Sequence, residues 1–108
     1  MWSIEIYDDR VKEELETLPT SIKVSVYRIL ELLECFGNEV KEPHTKSLGD
    51  GLFELRAKGK EGIARVFFTF KQDKIIIVFH CFIKKAQKTP KNELLKARKI
   101  LKTIKEQR

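Results

Sequence analysis

The sequence predicts a small α+β domain, with one antiparallel sheet, an N-terminal helical hairpin packed on one sheet face, and a basic C-terminal helix. Apolar residues have helical spacing before residue 37, alternate as in strands over residues 52–82, and return to helical spacing after residue 90. The length of 108 residues and the apolar share of 42% suit one packed core. We therefore expect a single domain over residues 1–108.

The chain is expected to begin with a strand and a short helix. Residues 2–7 alternate in part between apolar and polar, which is typical of a strand. Asp8 or Asp9 can cap the helix that follows over residues 11–18. Pro19 ends this helix because a proline disfavours helical geometry in the residue before it.

A longer helix and a loop come next. Apolar residues repeat with helical period from Ile22 to Phe36, and Gly37 is a typical C-terminal stop. Residues 37–50 hold two of the five glycines and one of the three prolines and show no periodicity. They therefore predict a loop.

Three strands then form an antiparallel meander. Strand patterns occupy residues 52–57, 63–70 and 75–82, with turns at 59–62 and 72–73. We expect the helices to cover one face of this sheet and to leave the other face for function.

The last helix is predicted to start at Thr89 and Pro90. Thr89 is the expected N-cap and Pro90 the first helical residue. One face of the helix is apolar and the other is basic; the apolar face consists of Leu94, Ala97, Leu101 and Ile104.

Positive charge is concentrated towards the C-terminus. Residues 84–108 hold ten Lys and Arg against two Glu, a net charge of +8, whereas residues 1–83 carry −2. Such clustering indicates a polyanionic partner, because Lys and Arg displace counterions from a phosphate backbone. A basic surface that is merely solvated is the alternative interpretation.

The sequence argues against several protein classes. Cys35 and Cys81 match no metal or redox spacing, and no Gly-rich phosphate loop, GxSxG elbow or HExxH helix occurs. No signal peptide is recognisable, and the longest apolar run, residues 75–79, is far from the roughly 20 residues that span a bilayer. We expect a cytoplasmic protein without a metal or other cofactor and without a membrane role.

Arg56 and Arg65 interrupt apolar strand patterns. Either they are exposed or paired with Glu54 or another carboxylate, or the two guanidinium groups form a cradle for a phosphate, a geometry that Lys does not reproduce. Lys84 and Lys85 follow the last strand, where they either protect a strand edge or complete an anion site.

The two histidines are candidates for proton transfer near neutral pH. His80 shares strand parity with Ile76, Val78 and Phe82, and a lone histidine on an apolar strand face is more often structural than catalytic. Neither histidine has an evident carboxylate partner. His44 lies in the loop beside Lys46 and is freer to reach a ligand.

Three sequence blocks together point to a family. The blocks are SLGDGLFELR at 47–56, GIARVFF at 62–68 and FHCFIKKAQKTP at 79–90, followed by a helix that begins KNELLKAR. In this order and spacing the chain resembles the RelE and HigB-like toxins, particularly their phage-derived branch, over nearly its whole length.

The resemblance implies the toxin of a type II toxin-antitoxin pair. Such a toxin is a ribosome-dependent endoribonuclease, cuts translated mRNA in the decoding site and is silenced by a cognate antitoxin, which we expect to be of the helix-turn-helix type. The chemistry implied needs no metal, because the ribose 2′-hydroxyl attacks the adjacent phosphate.

The resemblance also assigns roles to basic residues. Arg56 and Arg65 match basic positions of the family and become phosphate ligands, whereas Lys84 and Lys85 match a Lys pair that stabilises the phosphate or protonates the leaving group. We expect further RNA contacts from the basic residues nearby, namely His44, Lys46, Lys88 and Lys91.

The chain departs from the family at its aromatic hydroxyls. Ala64 and Phe68 replace residues that many relatives have as hydroxylated aromatics, and no Tyr occurs after Tyr27. The general base is therefore open between His44, His80 and a Lys of lowered pKa. A non-catalytic RNA- or ribosome-binding module that uses the same basic surface is the alternative function, and a basic helix that only docks a protein partner is a third.

Overall fold

The computed structural model describes residues 1–84 and 89–107. Within them lie, in chain order, β1 (Ser3–Ile6), α1 (Asp9–Glu16), α2 (Thr20–Phe36), a 3-10 turn (Gly37–Glu39), β2 (Thr45–Gly49), β3 (Leu52–Gly59), β4 (Gly62–Lys71), β5 (Ile75–Lys84) and α3 (Lys91–Glu106). The strands form one sheet in the order β1-β5-β4-β3-β2. This architecture confirms the α+β fold class.

The predicted meander is the centre of the sheet, since β3, β4 and β5 pair antiparallel in sequence order. β1 joins one edge as a parallel partner of β5, and β2 joins the other edge antiparallel to β3. The prediction of a loop throughout residues 37–50 was therefore wrong. β2 escaped notice because it is an edge strand in which only Thr45 is buried, so it lacks an apolar alternation.

Helices cover both faces of the sheet. α1 and α2 pack on one face, against side chains that include Leu55, Val66 and Val78. α3 packs on the opposite face, where Leu52 and Phe67 are buried. The expectation that all helices share one face was wrong, because the central strands carry large apolar side chains at both parities and both faces need cover.

The first residues of α1 and α3 differ in their N-caps. Asp8 caps α1 as expected, and its side chain accepts a hydrogen bond from the Val11 amide at 3.0 Å. Thr89 does not cap α3, because Pro90 holds the N-cap position and the Thr89 hydroxyl donates instead to Oε2 of Glu54 at 2.7 Å. The Thr89 side chain thus contacts β3 and caps no backbone amide of α3.

Two glycines allow α2 to lie close to its neighbours. Gly37 ends α2 with φ of +53°, and a Cβ at this position would overlap the Trp2 indole. Gly59 closes β3 beside the first turn of α2, where an added Cβ would stand 2.7 Å from the backbone nitrogen of Ile22. The close approach at Gly59 positions α2 against the end of β3.

We expect Gly59→Ala to lower the free energy of unfolding by roughly 1–3 kcal/mol, because the added methyl group meets backbone that cannot yield easily. Urea unfolding followed by circular dichroism measures the change. The exposed neighbour Lys58 supplies the control, since Lys58→Ala should stay within about 0.5 kcal/mol of the parent chain. Equal stabilities of the two variants would show that the approach is not tight.

Candidate functional site

Three basic side chains come together on the sheet face that α3 covers. Arg56 of β3 and Arg65 of β4 are directly paired in register. Lys84 ends β5 opposite Ile63, two residues from Arg65 along β4. Alternate residues of a strand share a face, so Arg65 and Lys84 lie on the same side of the sheet as Phe67, which packs against α3.

A buried carboxylate organises this cluster. Glu54 is 1% exposed, and its Oε1 accepts a hydrogen bond from Nη1 of Arg65 at 2.7 Å and a longer one from Nε of Arg56 at 3.4 Å. Its Oε2 accepts from the hydroxyl of Thr89 at 2.7 Å. Because a buried carboxylate needs charged or polar partners, Glu54 holds both guanidinium groups in place. The pairing with Glu54 is one of the alternatives that the sequence left open, and the adjacency of the two arginines is what the other alternative, a phosphate cradle, requires.

Lys84 is 6% exposed within this positive environment. Burial, and then the charge of Arg65, lower the pKa of Lys84 from its ordinary value of 10.5. Glu54 acts in the opposite direction, while Arg56 and Lys46 lower the pKa further. The ammonium group of Lys84 therefore gives up its proton more readily than that of an exposed lysine.

The cluster has an excess of positive charge and an unused donor. Four cations, those of Arg56, Arg65, Lys84 and Lys46, lie around the carboxylate of Glu54. A second carboxylate, that of Glu42, is 66% exposed and 3.8 Å from Arg56, so it compensates little. Nε of Arg65 is buried and has no hydrogen-bond partner among the described residues. Buried donors in proteins usually have a hydrogen-bond partner, so the unpaired Nε leaves capacity for an acceptor at this cluster.

Of the remaining predicted site residues, Lys46 and His44 lie beside this cluster. Lys46 is exposed on β2 and pairs in register with Glu54. His44 is exposed, and its carbonyl oxygen accepts a hydrogen bond from the Arg56 amide at 2.9 Å, so it stands at the edge of the cluster. Lys91 is exposed at the start of α3. Lys85 and Lys88 lie outside the described residues.

His80 is placed differently from its expected position. A bulge in β5 pairs His80 with Phe67 and Val78 with Phe68, so His80 lies on the sheet face that α3 covers. The imidazole ring stacks on the Phe67 ring, with the ring centroids 6.0 Å apart. Its Nε2 is 2.5 Å from Oε1 of Glu93 in α3, the carboxylate partner that the sequence did not reveal.

The ring nitrogens of His80 are thus engaged away from the basic cluster. Nδ1 lies 3.3 Å from Nη1 of Arg10 and 3.7 Å from a Glu14 oxygen of α1. This arrangement joins α1, β5 and α3, which supports a structural role for His80.

Glu54 and Thr89 are the site residues that sequence reasoning missed. Glu54 entered it only as one possible partner of an arginine, and Thr89 only as a helix cap. Glu54 is two residues from Arg56, and Thr89 is two residues from Lys91, and both positions are evident in the sequence. The contact between Glu54 on β3 and Thr89 at the start of α3 is not evident there. The sequence signal for Glu54 is its position in the strand pattern. It shares strand parity with the buried Leu52, so its carboxylate lies on a covered face of the sheet.

The described parts of the chain offer neither a metal site nor a reactive cysteine at Cys81. Residues 1–84 and 89–107 contain no group of three or more His, Cys, Asp or Glu side chains that is arranged to hold a metal ion. Burial, with the charge of Glu14, raises the pKa of the Cys81 thiol to about 12, so Cys81 is not a nucleophile. None of the helices in these residues is long and apolar enough to cross a membrane.

Comparisons with known proteins give a family and a fold. The sequence model of a family described as phage-derived Gp49-like proteins matches residues 13–102. The fold is similar to that in the crystal structure of an archaeal RelE-RelB complex from Pyrococcus horikoshii OT3, with 19% identity and a TM-score of 0.57 over 78% of this chain and 96% of that one. None of the curated proteins compared with the chain matches it. The resemblance to the phage-derived branch of RelE-like proteins is confirmed.

Glu54→Gln should lower the free energy of unfolding by about 3 kcal/mol or more, because it removes the buried counter-charge of the cluster and leaves Arg65 and Lys84 uncompensated. Chemical denaturation at neutral pH measures this. The matched control is Glu5→Gln on β1, an exposed position where the change should be below about 0.5 kcal/mol. A Glu54→Gln variant as stable as the parent chain would mean that Glu54 does not organise the cations.

Proposed function

Because the chain belongs to the family of phage-derived Gp49-like proteins, we propose that it is the toxin of a toxin-antitoxin pair and acts as a ribosome-dependent endoribonuclease on translated mRNA. The observation that supports this best is the basic cluster of Arg56, Arg65 and Lys84, with its excess of positive charge and the unpaired Nε of Arg65 among the described residues. Such a cluster suits a phosphodiester whose negative charge increases during reaction.

The proposed reaction is attack by a ribose 2′-hydroxyl on the adjacent phosphate. A new bond forms between O2′ and phosphorus while the bond from phosphorus to the 5′ oxygen of the next nucleotide breaks. Arg65 and Arg56 bind the phosphoryl oxygens, which gain charge as the pentavalent state forms. The products are a 2′,3′-cyclic phosphate and a free 5′-hydroxyl.

Lys84 is the proposed proton donor to the departing 5′ oxygen. Its buried ammonium group has a lowered pKa, which brings it closer to that of an efficient acid at neutral pH. Lys85 is proposed to assist it. His44 is the proposed base that accepts the proton of the 2′-hydroxyl, since it is exposed at the edge of the cluster and His80 is engaged elsewhere.

Glu54 is proposed as a positioning residue. It contacts both arginines but faces inward, so it keeps the guanidinium groups aligned without meeting the substrate. Further contacts with the RNA are proposed for Lys46, Lys88 and Lys91, which would add sequence-independent affinity through phosphate contacts.

A protein antitoxin is proposed as the regulating partner, and the cytoplasm, where mRNA is translated, as the compartment. The structure from Pyrococcus horikoshii is that of a RelE-RelB complex, in which a protein of similar fold is paired with a second chain. We propose a helix-turn-helix antitoxin whose acidic residues cover the basic surface.

Cleavage is tested by primer extension on a reporter mRNA in a reconstituted translation system. The intact protein should produce new 5′ ends in phase with codons. Arg65→Lys keeps the charge but loses the planar, multidentate geometry, so the rate should fall by roughly 10²-fold or more. Lys12→Ala on α1 is the matched control and should cut normally.

Each outcome of this assay decides between functions. In-phase ends that disappear in Arg65→Lys and persist in Lys12→Ala support the nuclease and its site together. Salt-sensitive binding to ribosomes without any new end supports a non-catalytic binding module instead. Full activity of Arg65→Lys would contradict bidentate phosphate binding by Arg65.

The pH dependence of cleavage tests Lys84. The protonated form of Lys84 donates the proton, so activity should fall as pH rises through its pKa, which lies below 10.5. Lys84→Arg should lower the rate and remove this decline, since a guanidinium group stays protonated and donates its proton poorly. Single-turnover cleavage on ribosomes with bound mRNA measures the profile, and Lys46→Arg is the control that should leave the decline in place.

A further inference from the structure

A groove continues from the basic cluster around the free edge of β3. It has a volume of about 490 Å³ and joins residues of β3 and β4 to residues of α2. Its lining includes Arg28, Pro43, His44, Arg56, Lys58 and Arg65. β2 pairs with β3 only as far as Leu55, and the Arg56 amide bonds to His44, so the edge beyond Arg56 is not covered by a strand. The volume is within the range of roughly 300–1,000 Å³ that is typical of small-ligand sites.

The charged residues of the groove lining are all basic. Four of its lining residues are Arg or Lys, and none is Asp or Glu. Arg28 and Lys58 are exposed, and no ion pair is found for either within the described residues. Arg56 and Arg65 are paired with Glu54, whereas Arg28 and Lys58 add positive charge that these pairs do not neutralise, which makes the groove attractive to a polyanion.

A second observation connects the groove to a ligand. Arg65 is 6% exposed, lines the groove, and has the buried Nε that lacks a partner among the described residues. The same guanidinium group is therefore shared between the basic cluster and the groove. An RNA strand with one phosphate at Arg65 would therefore have its neighbouring nucleotide at the groove.

We infer that this groove is a second nucleotide subsite, in which Arg28 and Lys58 bind the phosphate next to the one held by Arg56 and Arg65. This inference rests on the proposed function and adds to it the path of the RNA. The substrate runs across the open edge of β3 towards α2 as a single strand, because the phosphates of one strand follow each other along the groove. Pro43 forms the wall against which the intervening base lies, next to His44, the proposed proton acceptor.

The role of Arg28 is not expected from its element. α2 packs on the sheet face opposite the basic cluster, and its core residues face that sheet. Arg28 lines the groove beside the part of the β3 edge that β2 leaves open. The geometry thus brings a cation from the helical hairpin to the same groove as Arg56 and Arg65.

The test is binding of a fluorescent single-stranded RNA of about 12 nucleotides, long enough to span several phosphate contacts, in which every 2′-hydroxyl is methylated so that it cannot be cleaved. Fluorescence anisotropy over a series of salt concentrations gives the affinity and its salt dependence. Arg28→Ala should weaken binding by about tenfold, the loss of one hydrogen bond to a charged group. It should also reduce the slope of log affinity against log salt by about 0.7, the value for one phosphate contact on a single strand.

Lys23→Ala is the matched control. Lys23 is on the same helix, five residues from Arg28 and outside the groove lining, and its removal changes the net charge of the protein by the same amount. Binding and salt slope should be close to those of the parent chain. Lys58→Ala should resemble Arg28→Ala, and the double variant should lose about two phosphate contacts of slope.

The results separate the subsite from the proposed function. Intact RNA binding with an unchanged slope in Arg28→Ala overturns the subsite, as does an equal effect of Lys23→Ala, and both leave the nuclease proposal standing. Failure of the parent chain to bind this RNA, while it still cuts mRNA on ribosomes, also overturns the subsite as a site for free single strands. Absence of both binding and cleavage overturns the proposed function itself.

Discussion

The site depends on the burial of one carboxylate among several cations. Glu54 is nearly inaccessible, and its two oxygens accept hydrogen bonds from Arg65, Arg56 and Thr89, which belong to three different segments of the chain. Two arginines side by side on neighbouring strands repel each other, so their adjacency needs a negative charge between them. The same contact holds the start of α3 against the sheet, and the shape of the site and the packing of that helix are therefore linked.

The register of the sheet determines which side chains share the site. Antiparallel pairing of β3 with β4 sets Arg56 opposite Arg65, and the pairing of the start of β4 with the end of β5 brings Lys84 close to them. The bulge in β5 moves His80 onto the stacked ring of Phe67 and into contact with Glu93. A histidine with these partners strengthens the junction of the sheet with α3 and is withdrawn from chemistry at the basic cluster.

The open edge of β3 has a structural consequence that bears on the proposed RNA path. An edge strand that is left uncovered exposes backbone and invites pairing with other chains, and charged side chains are a common protection. Here Arg28, Lys58 and Arg56 surround that edge and line one groove. Cations that discourage edge-to-edge association are at the same time suited to a phosphate backbone, so protection of the edge and recognition of RNA are compatible uses of the same residues.

The sequence by itself determined the fold class, the end of α2 and the meander, because hydrophobic periodicity is a local signal. It also marked Arg56 and Arg65 as charges in apolar strands, but only the family resemblance gave them and Lys84 a role in a site. Only the tertiary structure decided that β2 exists, that α3 covers the second face, that Thr89 binds Glu54, and that Arg28 reaches the groove. Each of these depends on contacts between segments far apart in the chain, such as 35 residues from Glu54 to Thr89. Local patterns carry no information on such distances, since burial and pairing partners are set only when the sheet and its helices pack together.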